Sequence, residues 1–172
     1  MMKTEGFRVL TKKVNRILMV GFVFMFLGCS NAAHTDFVHD NEEVLKKEQI
    51  AELTNLYKAH FDKTGNEILL VTSPDFGQYE SAKDFAVYYG DMHNVGGSTE
   101  KGLVMAVSQS QKRIFILTGK ALVTALPDDK VQEVIHKVMA PAFQNEDYFE
   151  GVRRGSNRLI RILEGRELKL IH

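Results

Sequence analysis

Glu67-Ile68-Leu69-Leu70-Val71-Thr72 is the stretch whose reading decides the fold. Four consecutive apolar residues, two of them leucine, sit between the turn Asp62-Lys63-Thr64-Gly65-Asn66 and the breaker Ser73-Pro74-Asp75-Phe76-Gly77. A short apolar run bounded by turn residues predicts a strand buried on both faces, which requires helices above and below it. On the N-terminal side, Lys47 to Phe61 carries Ile50, Leu53, Tyr57 and Phe61 at helical spacing with charged residues between them. On the C-terminal side, Tyr79 to Tyr89 reads as a second helix with Ala82, Phe85, Ala86 and Tyr89 on one face. A second apolar run follows at Gly102 to Val107 and a third strand at Arg113 to Thr118, joined by the turn Ser108-Gln109-Ser110-Gln111. Strand, helix and strand over 67–107 form a crossover unit, so the first two strands are expected parallel and right-handed in connection. The second and third are expected to form an antiparallel hairpin.

The rest of the chain supplies the other layer. Val131, Val134, Ile135 and Val138 recur at helical spacing after Asp128-Asp129, either of which is placed to cap that helix. Pro141 is expected to end or kink it. Asp147 to Leu163 is the last helix, and Asp147 with Glu150 three residues on resembles a capping box. Phe149, Val152, Leu159, Ile160 and Leu163 form its apolar stripe, and Gly151 and Gly155 are places for close helix packing. Arg153, Arg154, Arg158 and Arg161 lie mostly on its other side. Such a basic face is ordinarily solvated; the other reading is contact with lipid phosphates or an acidic partner. The predicted class is α/β: a small mixed sheet, parallel crossover plus antiparallel hairpin, sandwiched by about four helices.

The N-terminus reads as an address. Ile17 to Leu27 is an uncharged, largely apolar run of 11 residues that follows Lys12, Lys13 and Arg16. A basic region before an apolar core of about 7–15 residues is the pattern of a secretory signal. A spanning helix needs about 20 apolar residues, so a transmembrane anchor is the weaker reading. Leu27-Gly28-Cys29-Ser30 resembles a lipobox, the bacterial lipoprotein signal, departing at Phe26 where the pattern prefers Leu. The resemblance implies cleavage before Cys29 and acylation of its thiol and new amino group. Two acyl chains suffice for stable anchoring, whereas one gives marginal binding. Against chance stands the placement: the chain has one cysteine, and it falls directly after the apolar run. The expected organisation is a signal peptide at 1–28, lipidated Cys29 with a tether at 29–37, an α/β domain at 38–164 and a tail at 165–172. The expected location is a bacterial cell envelope, on the outer membrane facing the periplasm. That single cysteine also leaves no internal disulfide.

Charge narrows the partners. The whole chain has 22 basic and 22 acidic side chains. Residues 1–29 hold five bases and one acid, so removing them leaves 17 bases and 21 acids, a net charge of −4. A mildly acidic domain is a poor nucleic-acid binder, because that affinity rests on basic residues at phosphates.

From Val38 to Leu163 the order of motifs resembles the TPM domain family. Val38-His39-Asp40 matches its opening V-x-D, and Ile68 to Thr72 its first long strand. Gly96 and Gly102-Leu103-Val104-Met105-Ala106-Val107, then Gly119 with Leu126-Pro127-Asp128, match its glycine and Pro-Asp positions. Ala140-Pro141-Ala142-Phe143, Glu146-Asp147-Tyr148 and Gly151 complete the ordered set. The chain departs from the family at His93 for Trp, Lys101 for Asn and Val123 for an acidic residue. The resemblance implies acid phosphatase activity, divalent-metal binding or protein partners such as membrane complexes.

The predicted topology places the loops Gly90–Lys101 and Gly119–Asp128 side by side at one sheet end. That brings Asp91, His93, Asn94 and Asp128 into one neighbourhood, to which the resemblance adds Asp40. Carboxylate and amide oxygens suit Ca²⁺ or Mg²⁺, and a bound cation would hold and polarise a phosphate. Each residue has a plainer reading: Asp128 as a helix cap, Asp91 as the end of a helix, His93 as a satisfied loop histidine. Gly96, Gly102 and Gly119 read as backbone requirements, since no G-x-x-x-x-G-K-[ST] is present. No catalytic residue is assigned. Two functions follow: an interaction or assembly and repair module for envelope proteins, and a metal-assisted phosphatase acting on phosphate esters. The first is preferred, because the scaffold is kept while polar loop residues are lost.

Overall fold

The computed structural model describes residues 36–77 and 79–166. Cys29, the signal peptide, residues 30–35 of the tether and residues 167–172 of the tail lie outside the described residues. Among the described residues no helix is long and apolar enough to cross a membrane.

The sheet has four strands in the order β1 (Val38–Asp40), β2 (Glu67–Thr72), β3 (Gly102–Ser108) and β4 (Arg113–Thr118). β1 pairs parallel to β2, β2 parallel to β3, and β3 antiparallel to β4. The crossover and the hairpin therefore stand as the sequence predicts. β1 is an additional edge strand. Its three residues are too short for a periodic pattern to reveal, and it forms because Val38 to Asp40 align with Leu70 to Thr72.

Helix α1 (Lys47–Thr64) ends at Gly65, whose φ of +70° takes the left-handed cap that favours glycine. α2 (Ala82–Met92) starts three residues later than the periodicity predicts. Ser81 is its N-cap, accepting a hydrogen bond from the Asp84 amide, so Tyr79 lies before the helix. α3 (Asp128–Val134), a π turn (Ile135–Met139) and α4 (Ala140–Gln144) run on as one continuous helical stretch. Pro141 therefore does not end the helix. Proline removes one amide donor and crowds the preceding turn, and the widened π turn before it relieves that crowding. The N-cap of α3 is Pro127, not Asp128 or Asp129; both acids fall in its first turn, where the helix dipole favours negative charge. Asp147 does cap α5 (Tyr148–Leu163), accepting from the Glu150 amide at 3.2 Å. The reciprocal half of the capping box is missing. Glu150 turns instead to Arg153 and Arg154, whose hydrogen bonds pull its pKa down to about 2.

Strand alternation divides the core. Leu69, Val71, Val104 and Ala106 point to one face and pack with Phe85 and Ala86 of α2. Ile68, Leu70, Leu103 and Met105 point to the other, packing with Leu53 and Tyr57 of α1 and Val152 and Leu159 of α5. Each such fully buried side chain is worth about 1.5–3 kcal/mol relative to exposure. Phe37 belongs to this second layer. The sequence places it in the tether, but its ring is 2 % exposed and lies 6.1 Å from that of Phe61. Gly151 and Gly155 admit the α3–α4 stretch against α5: a Cβ on Gly155 would stand 2.6 Å from Met139 Cγ.

Candidate functional site

α2 returns over the sheet from the end of β2 to the start of β3, and β4 ends at that same edge. The loops 90–101 and 119–127 accordingly meet, as expected, and their meeting is made by glycine backbone. The Gly119 amide donates to Gly102 O at 2.8 Å and the Ala121 amide to Glu100 O at 3.3 Å. A Cβ on Gly102 would stand 2.5 Å from Val95 O, and one on Gly119 would press on both Glu100 O and Gly102 O. Gly96 adds a φ of +79°, and a Cβ there would lie 2.8 Å from Gly102 Cα. Below the loop, Glu67 is buried at the start of β2 and accepts from the Gly96 amide at 2.7 Å.

These contacts floor an open cleft of about 370 Å³. Asp91, Asn94 and Glu100 line it from one loop; Thr118, Gly119 and Lys120 line it from the other; Val87 forms its α2 wall. Asn94 and Glu100 both hold left-handed backbone, at φ 51° and 52°. Asparagine takes that conformation more readily than glutamate, so the turn stores some strain at Glu100. Lys120 donates to Glu100 at 3.1 Å across the gap. Thr118 Oγ1 is buried without a hydrogen-bond partner at the end of β4.

The other predicted site residues lie elsewhere. Asp128 is an exposed first-turn residue of α3 and does not line this cleft. His93 packs beside β1: its ring is 4.2 Å from that of His39 and 6.0 Å from that of Tyr89. Burial lowers the pKa of His39, against the upward pull of Asp36 and with help from His93. Asp40 sits at the far end of the sheet, paired with Thr72, about 16 Å along β2 from its Glu67 end. Its carboxylate accepts from the amides of Val44 and Leu45, at 3.2 and 2.8 Å, and from the Thr72 hydroxyl at 2.5 Å. Asp40 therefore shapes the β1–α1 loop. The five candidates thus separate: Asp91 and Asn94 share the cleft, and the other three have local partners or solvent.

Three buried or clamping acids and bases escape sequence reasoning. Glu42 clamps the β3–β4 turn, accepting from the Gln109 and Ser110 amides at 2.9 and 2.8 Å. His60 is buried on α1 and meets Glu164 at 3.1 Å. Glu67 is a charge at the mouth of an apolar strand, and that position is the one signal by which the sequence could have marked it.

A cation in the cleft would find the Asp91 and Glu100 carboxylates, with Glu100 already engaged by Lys120. Among the described residues no three or more His, Cys, Asp or Glu side chains are grouped so as to hold a metal ion. The side chains as placed do not fit a dedicated Ca²⁺ or Mg²⁺ centre, for which several oxygen ligands must converge.

A four-stranded mixed sheet, with one helix on one face, the remaining helices on the other and a glycine-floored cleft where β3 begins and β4 ends, defines a small α/β domain. Residues 38–162 match the model of the TPM domain, and the chain belongs to that family. It is similar to the N-terminal domain of a protein from P. gingivalis, at 26 % identity and a TM-score of 0.71, over 78 % of this chain and 85 % of that one. It shares its fold with the N-terminal domain of the cg2496 protein of Corynebacterium glutamicum, at 12 % identity and a TM-score of 0.60, over 82 % and 86 % of the two chains. The BA42 protein of Bizionia argentinensis has the same fold, at 16 % identity and a TM-score of 0.62, over 73 % and 85 %. No curated protein matches this chain.

Proposed function

We propose that this TPM-domain chain is a lipid-anchored module of the bacterial cell envelope that binds a membrane protein through the cleft and its rim. One observation carries the reading. Among the described residues, the large apolar side chains left exposed are Val87, Tyr88, Met92 and Val123. Three of them stand on α2, where Val87 lines the cleft and Tyr88 and Met92 lie on the adjoining side of the helix, and Val123 lies in the opposite loop. Scattered exposed apolar residues are ordinary, but three on one helix beside a concavity, with a fourth in the loop across from it, suit an interaction site. Val123 falls where the family has an acidic residue, so the rim has gained apolar surface where polar function is lost. The Cys29 lipid supplies the setting: it holds the domain where envelope partners are concentrated.

A second reading is a phosphatase that uses the cleft's polar groups, Asp91, Asn94 and the unpartnered Thr118 hydroxyl, with a divalent cation that would have to draw Asp91 and Glu100 together. Calcium and magnesium titrations followed by NMR, with turnover of p-nitrophenyl phosphate, separate the two. The interaction reading expects no saturable shifts at 91–98 and 118–121 and no turnover. Saturable shifts there, with turnover lost in Asp91→Ala, would replace it with the phosphatase. Cys29→Ala tests the setting: the chain should leave the membrane fraction and lose the mass of its acyl chains, and retention at unchanged mass refutes lipidation.

A further inference from the structure

α5, which takes no part in the cleft, carries a row of arginines on one face. Arg154, Arg158 and Arg161 fall within one narrow stripe of the helix, by the 3.6-residue repeat, and span about 10 Å along its axis. Two adjoining grooves, which share Asn157 and Arg161, follow this stripe. The first is lined by Arg153, Arg154, Arg158 and Arg161; the second continues to Lys63 and Arg166. One carboxylate, Glu164, lines them, and it is held by Lys63 at 2.7 Å and by Arg166. Glu150 engages Arg153 and Arg154 at the other end. Six cations and one carboxylate among the lining side chains make these grooves basic on a domain whose net charge is negative.

Its position relative to the tether gives this surface a meaning. The Leu70 amide donates to Phe37 O and β1 runs parallel to β2 from Val38 opposite Leu70, so the chain enters from the Glu67 end of β2. β2 follows directly on the C-terminal end of α1, where Lys63 reaches across to Glu164 at the end of α5. The entry point and the basic end of α5 therefore share one end of the domain. From Cys29 to Asp36 is seven residues, a reach of at most about 25 Å. α5 packs on the sheet face opposite α2, so a domain resting on this stripe keeps the cleft rim clear.

We propose that the arginine-lined face of α5 docks on anionic phospholipid headgroups of the membrane that holds the chain. Planar guanidinium groups take phosphate oxygens in paired hydrogen bonds, and a row of them fits a layer of phosphates better than a single ligand. The proposal rests on the lipid anchor proposed above for proximity alone; the surface itself is independent of it. With the Cys29 thiol acylated, a cysteine introduced at Ala59, an exposed position lining the second groove, is the chain's sole free thiol. The full mature chain carrying a fluorophore there is bound to phosphatidylglycerol or phosphatidylcholine vesicles with headgroup quenchers. Strong quenching is expected on phosphatidylglycerol, with little on phosphatidylcholine and loss at high salt. A label at Gln111→Cys, on the far turn of the sheet, should stay bright. Each basic side chain at an anionic surface changes the docked population about fivefold, so Arg158→Gln with Arg161→Gln should reduce it roughly 25-fold. Circular dichroism checks that this variant is folded. A chain that floats with both vesicles but is quenched equally or on neither keeps its anchor and overturns the docking. A chain that floats only with phosphatidylglycerol loses the anchor and keeps the docking; one that floats with neither loses both.

Discussion

Gly119→Ala isolates the contact on which the cleft is built. Gly119 has φ −66°, a conformation open to any residue, so alanine brings no backbone strain. Its whole effect comes from one methyl group. That Cβ would stand 2.9 Å from Gly102 O and nearer still to Glu100 O, both backbone atoms that cannot rotate away. Relief needs the two loops to separate by nearly an ångström. Overpacking of this kind costs about 1–3 kcal/mol. Separation also stretches the Gly119–Gly102 and Ala121–Glu100 hydrogen bonds, each worth about 0.5–1.5 kcal/mol. The expected loss is about 2–6 kcal/mol, a large part of the 5–15 kcal/mol typical of a domain. Urea unfolding of the purified chain measures it, with Gly65→Ala as the comparison. Gly65 has φ +70° but open space around its Cβ, so it reports left-handed strain alone, about 1 kcal/mol. A Gly119→Ala variant within 0.5 kcal/mol of the parent would show that the loops are not in contact and that the cleft has no floor.

Three further outcomes are expected. Burial lowers the pKa of His60 below its usual 6.5, and Lys63 first, then His60, hold Glu164 down to about 2. Both depressed values act in one direction: stability is full above pH 6.5, falls through the histidine range on acidification, and falls again between 4.5 and 2, so a urea midpoint that rises from pH 7 to pH 4 contradicts the assignment. Tyr57→Phe leaves the buried Ser156 hydroxyl without its 2.6 Å partner and should cost about 1–3 kcal/mol; Ser156→Ala added to it should cost little more, which a double-mutant cycle measures. Asp40→Ala removes three hydrogen bonds from the β1–α1 loop and should destabilise by about 2–4 kcal/mol, while NMR shifts of the cleft loops stay within those of the parent.

The sheet was legible because β2 and β3 announce themselves as short apolar runs, and because one helix between them forces a parallel pairing. The hairpin followed from four polar turn residues. β1 was not legible as a strand: three residues with two polar side chains acquire strand geometry only by lying against Leu70 to Thr72. The π turn escaped for a related reason, since helical periodicity survives one widened turn. Within the site, the approach of the two loops and the need for glycine at 96, 102 and 119 were both readable. The partners of the charged residues were not. Asp40 resembles a ligand in sequence, yet its oxygens are used by amides four and five residues on and by the Thr72 hydroxyl, which only folding reveals. Glu67 and His60 are titratable residues within otherwise apolar patterns, and each is buried because a distant partner, Gly96 N or Glu164, meets it there.

The most direct test of the proposed function is photocrosslinking in the cell envelope from a benzoylphenylalanine placed at Met92 or Val123, with Lys58 on the opposite sheet face as control. The proposal expects both rim positions to capture the same membrane protein, identified by mass spectrometry, and the control to capture none. Rim positions that yield no protein adduct, or the same adduct recovered equally from Lys58, contradict it.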